Sequence, residues 1–138
     1  MKLYFIARLI FPSEAMIKYK ELDKFKKDFK RLIKKFPSLS EDLATVKKAV
    51  IELRHLKNIN NLATFEIPGF STNEASFWKI KKFACKSLKG RGVQSGVRVI
   101  YCWREIFSEV VFIEIYFKSE KENEDRERIK SFMNINFI

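Results

Sequence analysis

In the segment Trp78-Lys79-Ile80-Lys81-Lys82-Phe83, basic and apolar residues alternate. On a strand, Lys79 and Lys81 stand on one face with side chains about 7 Å apart, close to the spacing of successive phosphates. Arg98 follows after a stretch that holds Gly90, Gly92 and Gly96. If the strands on either side of that stretch pair, Arg98 comes near Lys81 on the same face, with Lys82 beside it and Lys86, Lys89 and Arg91 extending the positive surface along the loop. Such a group clamps a phosphodiester, and crowding cations in a partly desolvated groove lowers a lysine pKa toward general-base territory. The competing reading is an edge strand protected from aggregation by lysines.

Other chemistries find little support. His55, the one histidine, lies between Arg54 and Leu56 on a helical pattern and has no companions for a metal set, a Ser/His/Asp triad or a paired-histidine nuclease. It reads as a helix-surface or partly buried residue. The glycines do not fit a nucleotide P-loop and precede a strand instead of a helix. Acids cluster only after residue 119, where they read as helix-start charges and not as a two-metal cleft. Cys85 and Cys102 have neither a CxxC spacing nor a disulfide-framework count, so they read as small core residues in a reducing cytoplasm.

The charge is +11 overall, but unevenly spread. Residues 75 to 104 carry eight basic groups and no acid, residues 18 to 35 nine basic and three acidic groups, and residues 105 to 138 are net acidic. A field confined to particular elements suits a polyanion, nucleic acid ahead of an anionic membrane. No apolar stretch reaches the ~20 residues of a membrane span.

These groups must be held by a frame, and 138 residues with 46% hydrophobic content fit a single domain over 1–138. Lys2 to Phe11 reads as a buried strand. Met16 to Phe36 reads as a helix with Phe25, Phe29, Leu32, Ile33 and Phe36 on its apolar face and lysines opposite. Ser38 and Glu41 have capping-box spacing, with Ser40 as the rival N-cap, before a second stripe of Leu43, Val46, Val50, Leu53 and Leu56. A connection over 57–76 holds one short strand at Thr64 to Ile67. Phe77 to Cys85, Gly96 to Arg104 and Glu109 to Lys118 then read as an antiparallel meander, and Ile129, Phe132 and Met133 as the buried side of a last helix. The order β-α-α-β-β-β-α predicts an α+β fold, two N-terminal helices packed on a small, mainly antiparallel sheet.

Four short segments follow one another in order: Lys79-Ile80-Lys81, the basic glycine loop Lys86 to Gly92, Ser95-Gly96-Val97-Arg98-Val99-Ile100-Tyr101, and Ile113-Glu114-Ile115-Tyr116-Phe117-Lys118-Ser119-Glu120. Together they resemble the RelE/ParE superfamily of type II toxin-antitoxin toxins, nearest its RelE and HigB-like branch. With the lysine-rich helix, the likeness spans roughly residues 20 to 133. It implies a RelE-like fold and metal-independent mRNA cleavage on the ribosome, in which the 2′-OH of the RNA attacks the adjacent phosphate. By position, Lys79 and Lys81 match the lysines that activate the 2′-OH or stabilise charge, and Arg98 the arginine that grips the scissile phosphate. Lys118 or Lys121 stands near the second family cation, where an arginine is often the general acid. The arginine expected just past Lys118 is Ser119, and no tyrosine follows Tyr116, so the acid is unassigned and weaker activity is implied. The implied partners are a cognate antitoxin, the ribosome and mRNA, in the cytoplasm, with no membrane and no small-molecule cofactor. The alternative of a different class is a noncatalytic inhibitor, either a ParE-like gyrase poison or a degenerate RNA-binding relative.

Overall fold

Phe25, Leu32 and Phe36 recur at helical spacing and bury one face of an amphipathic helix against a sheet. In the computed structural model, which describes residues 16–137, that helix is α1 (Asp23–Lys35). The strand expected over Lys2 to Phe11 lies outside the described residues. The helix expected from Met16 starts later, because Lys18–Glu21 forms β1 instead. Tertiary pairing overrides the local pattern there: β1 runs parallel to a later strand, and Tyr19 stacks on Phe112 at 5.8 Å while its hydroxyl donates to Glu52 at 3.0 Å. Leu22 keeps an extended backbone, its N–H reaching the Phe112 carbonyl at 3.0 Å, and α1 begins at the next residue.

After Pro37 the chain enters α2 (Leu39–Val46), a π-helical stretch (Lys47–Glu52) and a single turn, α3 (Leu53–His55). The expected capping box does not form. Ser38 Oγ donates instead to Asp42 at 2.6 Å, and Glu41 reaches Lys86. The π stretch also rotates the buried face, so Ile51 is fully buried while Leu53 and Leu56 are only half-buried.

The remaining strands are β2 (Thr64–Glu66), β3 (Ser76–Ile80), β4 (Val97–Arg104) and β5 (Glu109–Phe117), in the sheet order β1-β5-β4-β3-β2. All pairs except β1–β5 are antiparallel. Every residue of β5 is buried, because both faces of the sheet are covered. One core gathers Phe25, Leu32, Val99, Tyr101 and Phe112 under α1 and α2. The other gathers Phe77, Ile100, Cys102, Ile113 and Tyr116 under α4 (Arg126–Phe137), whose Ile129 and Phe132 face inward as expected. The α+β class and the mainly antiparallel sheet follow the sequence reading. Cys85 and Cys102 are both buried free thiols, and burial pushes Cys102 up to about 12.

The connection from β5 to α4 departs from the helix-start reading of its acids. Ile113 is an extra residue on β5, since Ile100 pairs with Glu114 and Tyr101 with Phe112. The bulge leaves the Ile113 carbonyl to accept from Arg128 at 2.9 Å and sets the buried Glu114 carboxylate beneath the connection. Glu114 accepts from the Asp125 N–H at 2.8 Å and pairs with Lys121, and Asp125 in turn caps the Arg128 N–H at 3.2 Å. Glu120 joins Arg31 and Lys35, and Glu124 joins Lys79.

A candidate nucleic-acid interface at the end of the sheet

Beyond the last rungs of β3 and β4, the chain between them bends into an ordered loop. Its start is tied to α2 by the buried Asp42, which accepts the Lys86 N–H, and by Ser38, whose Oγ accepts the Ser87 N–H at 2.8 Å. Its end is tied by the buried Ser95, which donates to the Phe83 carbonyl and accepts the Val97 N–H at 3.1 Å. Gly96 has φ +90°, and a Cβ there would lie 3.3 Å from the Phe117 ring. That close approach lets the Gly96 carbonyl accept the Lys118 N–H at 2.8 Å, which brings the end of β5 beside the start of β4.

Between these segments lies a shallow groove of about 640 Å³, lined by Lys81, Lys82, Arg91, Val93, Gln94, Ser95, Gly96, Arg98, Lys118 and Ser119. Its lining carries five cationic side chains and no carboxylate. Arg98, half-buried, donates through Nη1 to the Lys81 carbonyl at 2.8 Å, which fixes its guanidinium between the ends of the two strands. The Lys81 ammonium sits 5.0 Å from the centre of the Phe65 ring. Among the described residues, none of Lys81, Lys82, Arg91, Arg98 and Lys118 pairs with a carboxylate, so their charge is available to an anion.

The other cations expected at the site are placed differently. Lys79 shares the sheet face but not the groove: its ammonium pairs with Glu124 at 2.7 Å, both side chains largely buried. Burial pulls the Lys79 pKa down, but Glu124 and the adjacent Tyr116 outweigh it and the net shift is upward. The expectation of a lysine lowered into the general-base range therefore fails at Lys79, because a carboxylate and not a second cation is its neighbour. Lys121 pairs with the buried Glu114, and Lys86 with Glu41 at 3.0 Å. Lys89 stands exposed on the loop outside the groove lining. The structure thus brings together Lys81, Lys82, Arg91, Arg98 and Lys118, and separates Lys79, Lys86, Lys89 and Lys121 from them.

Sequence reasoning did not single out Phe65, which the groove's edge touches through Lys81, or Ser119 and Gln94 as lining residues. His55 is half-buried as expected. Its Nε2 lies 2.8 Å from the Tyr101 hydroxyl, and its ring stacks on Trp103 at 4.7 Å. Burial, with the neighbouring Arg54 charge, lowers its pKa to about 3. Among the described residues no set of three or more His, Cys, Asp or Glu groups could hold a metal ion, and no helix is long and apolar enough to cross a membrane.

No family model matches the chain, and no curated protein matches it. Among solved structures it is similar to the archaeal RelE-RelB complex from Pyrococcus horikoshii OT3, with a TM-score of 0.46 and 11% identity over 74% of this chain and 94% of that one.

Proposed function

We propose that this protein is the toxin of a type II toxin-antitoxin module and cleaves mRNA on the ribosome without a metal, its groove being the site of phosphodiester cleavage. The observation that carries the reading is the convergence of Arg98, Lys81 and Lys118 on one acid-free groove. The four sequence segments in register with the RelE and HigB-like pattern add to it. In this reading the RNA 2′-OH gives up its proton to solvent as its oxygen attacks the adjacent phosphorus, the bond to the 5′-oxygen breaks and that oxygen takes up a proton, and a 2′,3′-cyclic phosphate and a 5′-hydroxyl result. The Arg98 guanidinium holds the two nonbridging oxygens as negative charge builds on them, a fork that suits a phosphate better than any point charge. Lys81 and Lys118 flank it and neutralise the same charge, and Lys118, since Lys121 is paired with Glu114, takes the place of the second family cation. A small antitoxin covering this face is the partner, and the cytoplasm the setting.

The second reading, a noncatalytic inhibitor, is favoured by one observation: Lys79 is held as an ammonium by Glu124 and is a poor base in that state. Induced expression followed by primer extension on mRNA, with plasmid supercoiling measured in the same cells, separates the two. Wild type is expected to produce cleaved transcripts, and Arg98→Ala to lower cleavage by about 100-fold or more with the fold intact. Unchanged cleavage in Arg98→Ala moves the chemistry out of the groove. Growth arrest with intact transcripts and altered supercoiling establishes the inhibitor.

A further inference from the structure

The cationic groove does not end at Lys81. Phe65 lies on the edge strand β2, opposite Lys79 in the register, and is 38% exposed although it is a large aromatic residue. Its orientation is fixed from both sides. Thr64 turns inward to meet the Tyr101 hydroxyl at 2.9 Å, so alternation sends Phe65 to the opposite face of the sheet. The Ala63 carbonyl accepts the Lys81 N–H at 2.9 Å, which holds the end of β3 against this strand. Lys81 consequently has two neighbours at once. Its backbone carbonyl receives Arg98, and its ammonium stands 5.0 Å from the Phe65 ring centre.

A lone exposed aromatic residue is ordinary on a protein surface. An exposed ring beside a cation of a groove that holds no carboxylate is a different arrangement, because it sets a flat π-surface where a base of a bound strand can lie. Two strand spacings, about 10 Å, separate β2 from β4, and Arg98 lies two residues along β4 from Ile100, which is level with Phe65, so the two positions stand about 12 Å apart, a distance a single nucleic-acid strand covers in about two nucleotides. We propose that Phe65 is a base-stacking platform, which receives an unpaired nucleobase of single-stranded RNA about two nucleotides from the phosphate held at Arg98. The inference rests on the reading of the groove as an RNA site and adds to it a subsite for a base. Stacking is tolerant of sequence, since every base has a π-face, so the platform sets the position of the strand and not its sequence. Lys81 then serves both sides: it sits against the ring as a cation and reaches the phosphate that precedes the stacked base.

The test uses the full chain and a short 2′-O-methyl RNA strand, which cannot be cleaved, with 2-aminopurine at successive positions to report stacking by quenching. Wild type is expected to bind the strand and to quench one position most strongly. Phe65→Leu keeps an apolar side chain on β2 but removes the ring. It is expected to weaken binding by about 5- to 100-fold and abolish the quenching, while leaving the salt dependence of binding unchanged. Phe65→Trp is expected to restore affinity and quenching, which separates a lost platform from a damaged fold. Arg98→Ala is expected to lower the salt dependence and leave the quenched position in place. If wild type and Arg98→Ala both bind RNA but Phe65→Leu matches wild type, the platform is refuted and the groove reading survives. If wild type does not bind the strand at all, the platform is overturned, and primer extension decides the cleavage reading separately. If Phe65→Leu keeps RNA affinity but loses a co-expressed protein partner, the ring is a protein contact and the inference is overturned.

Discussion

Lys79 and Lys81 are two residues apart on one face of the same chain segment, yet their surroundings differ because of one carboxylate. Glu124 stands 45 positions further along, and no local pattern links it to Lys79. The alternation that put both lysines on one face was legible in the sequence, as was the position of Arg98. Which lysine keeps its charge free was not, since that depends on where the connection to α4 crosses the sheet. The pair also carries a stability consequence. Glu124 is held below the usual carboxylate range: burial pushes it up, but Lys79 outweighs burial. Removing the carboxylate charge leaves a largely buried ammonium without its counter-ion. Glu124→Gln is expected to lower stability by about 1–3 kcal/mol, read as a shift of the denaturant midpoint at constant slope. The double variant Lys79→Met with Glu124→Gln is expected to recover most of that loss, because both ends of the pair are then neutral. Equal instability in the single and double variants would mean that packing, not charge, is what Glu124 supplies.

At the scale of elements, the stripes that marked α1, α2 and the three long strands were strong enough to be read because each buries its residues at its own period. Two departures have the same origin. Lys18–Glu21 is lysine-rich and abuts a helix, but the unpaired side of β5 offers Tyr19 a ring and a backbone partner, and pairing decides. The π stretch Lys47–Glu52 adds a residue within the turn, a shift no spacing rule shows, and α3 then delivers His55 instead of Leu53 to the sheet. His55 packs edge-on against Trp78 at 4.8 Å as well as on Trp103, so the imidazole, with Arg54 over Trp78 and Leu56 against the core, docks this helix end. Its folded pKa is lowered to about 3, against about 6.5 in the unfolded chain. Between those values the unfolded state binds one proton more, so stability is full above about pH 6.5 and is lost as pH falls toward 3. The slope approaches about 1.4 kcal/mol per pH unit. Unfolding by urea between about pH 6.5 and pH 5, above the carboxylate range, is expected to show this loss in wild type and a flatter profile in His55→Gln. Parallel profiles would place the acid sensitivity on other groups.

At the scale of the whole molecule, the formal charge of +11 overstates what a polyanion meets. The sequence located the basic block correctly at residues 75 to 104, but ion pairs remove Lys79, Lys86 and Arg104 from it, and Lys89 stands outside the groove. The fold returns Lys118 from the end of β5 across the Gly96 contact. The groove is thus a local site of five cations that pair with no carboxylate among the described residues, separate from the lysine face of α1. That difference is measurable, because each phosphate neutralised on a single strand contributes about −0.7 to the slope of log affinity against log salt. Single-stranded RNA bound through Lys81, Lys82, Arg91, Arg98 and Lys118 is expected to give a slope of about −3.5. Lys118→Ala and Arg91→Ala are each expected to reduce the slope by about 0.7, whereas Lys79→Met leaves it unchanged because Glu124 already occupies that ammonium. If Lys79→Met reduces the slope as much as Lys118→Ala does, RNA displaces Glu124 on binding, and the connection to α4 must move to admit it.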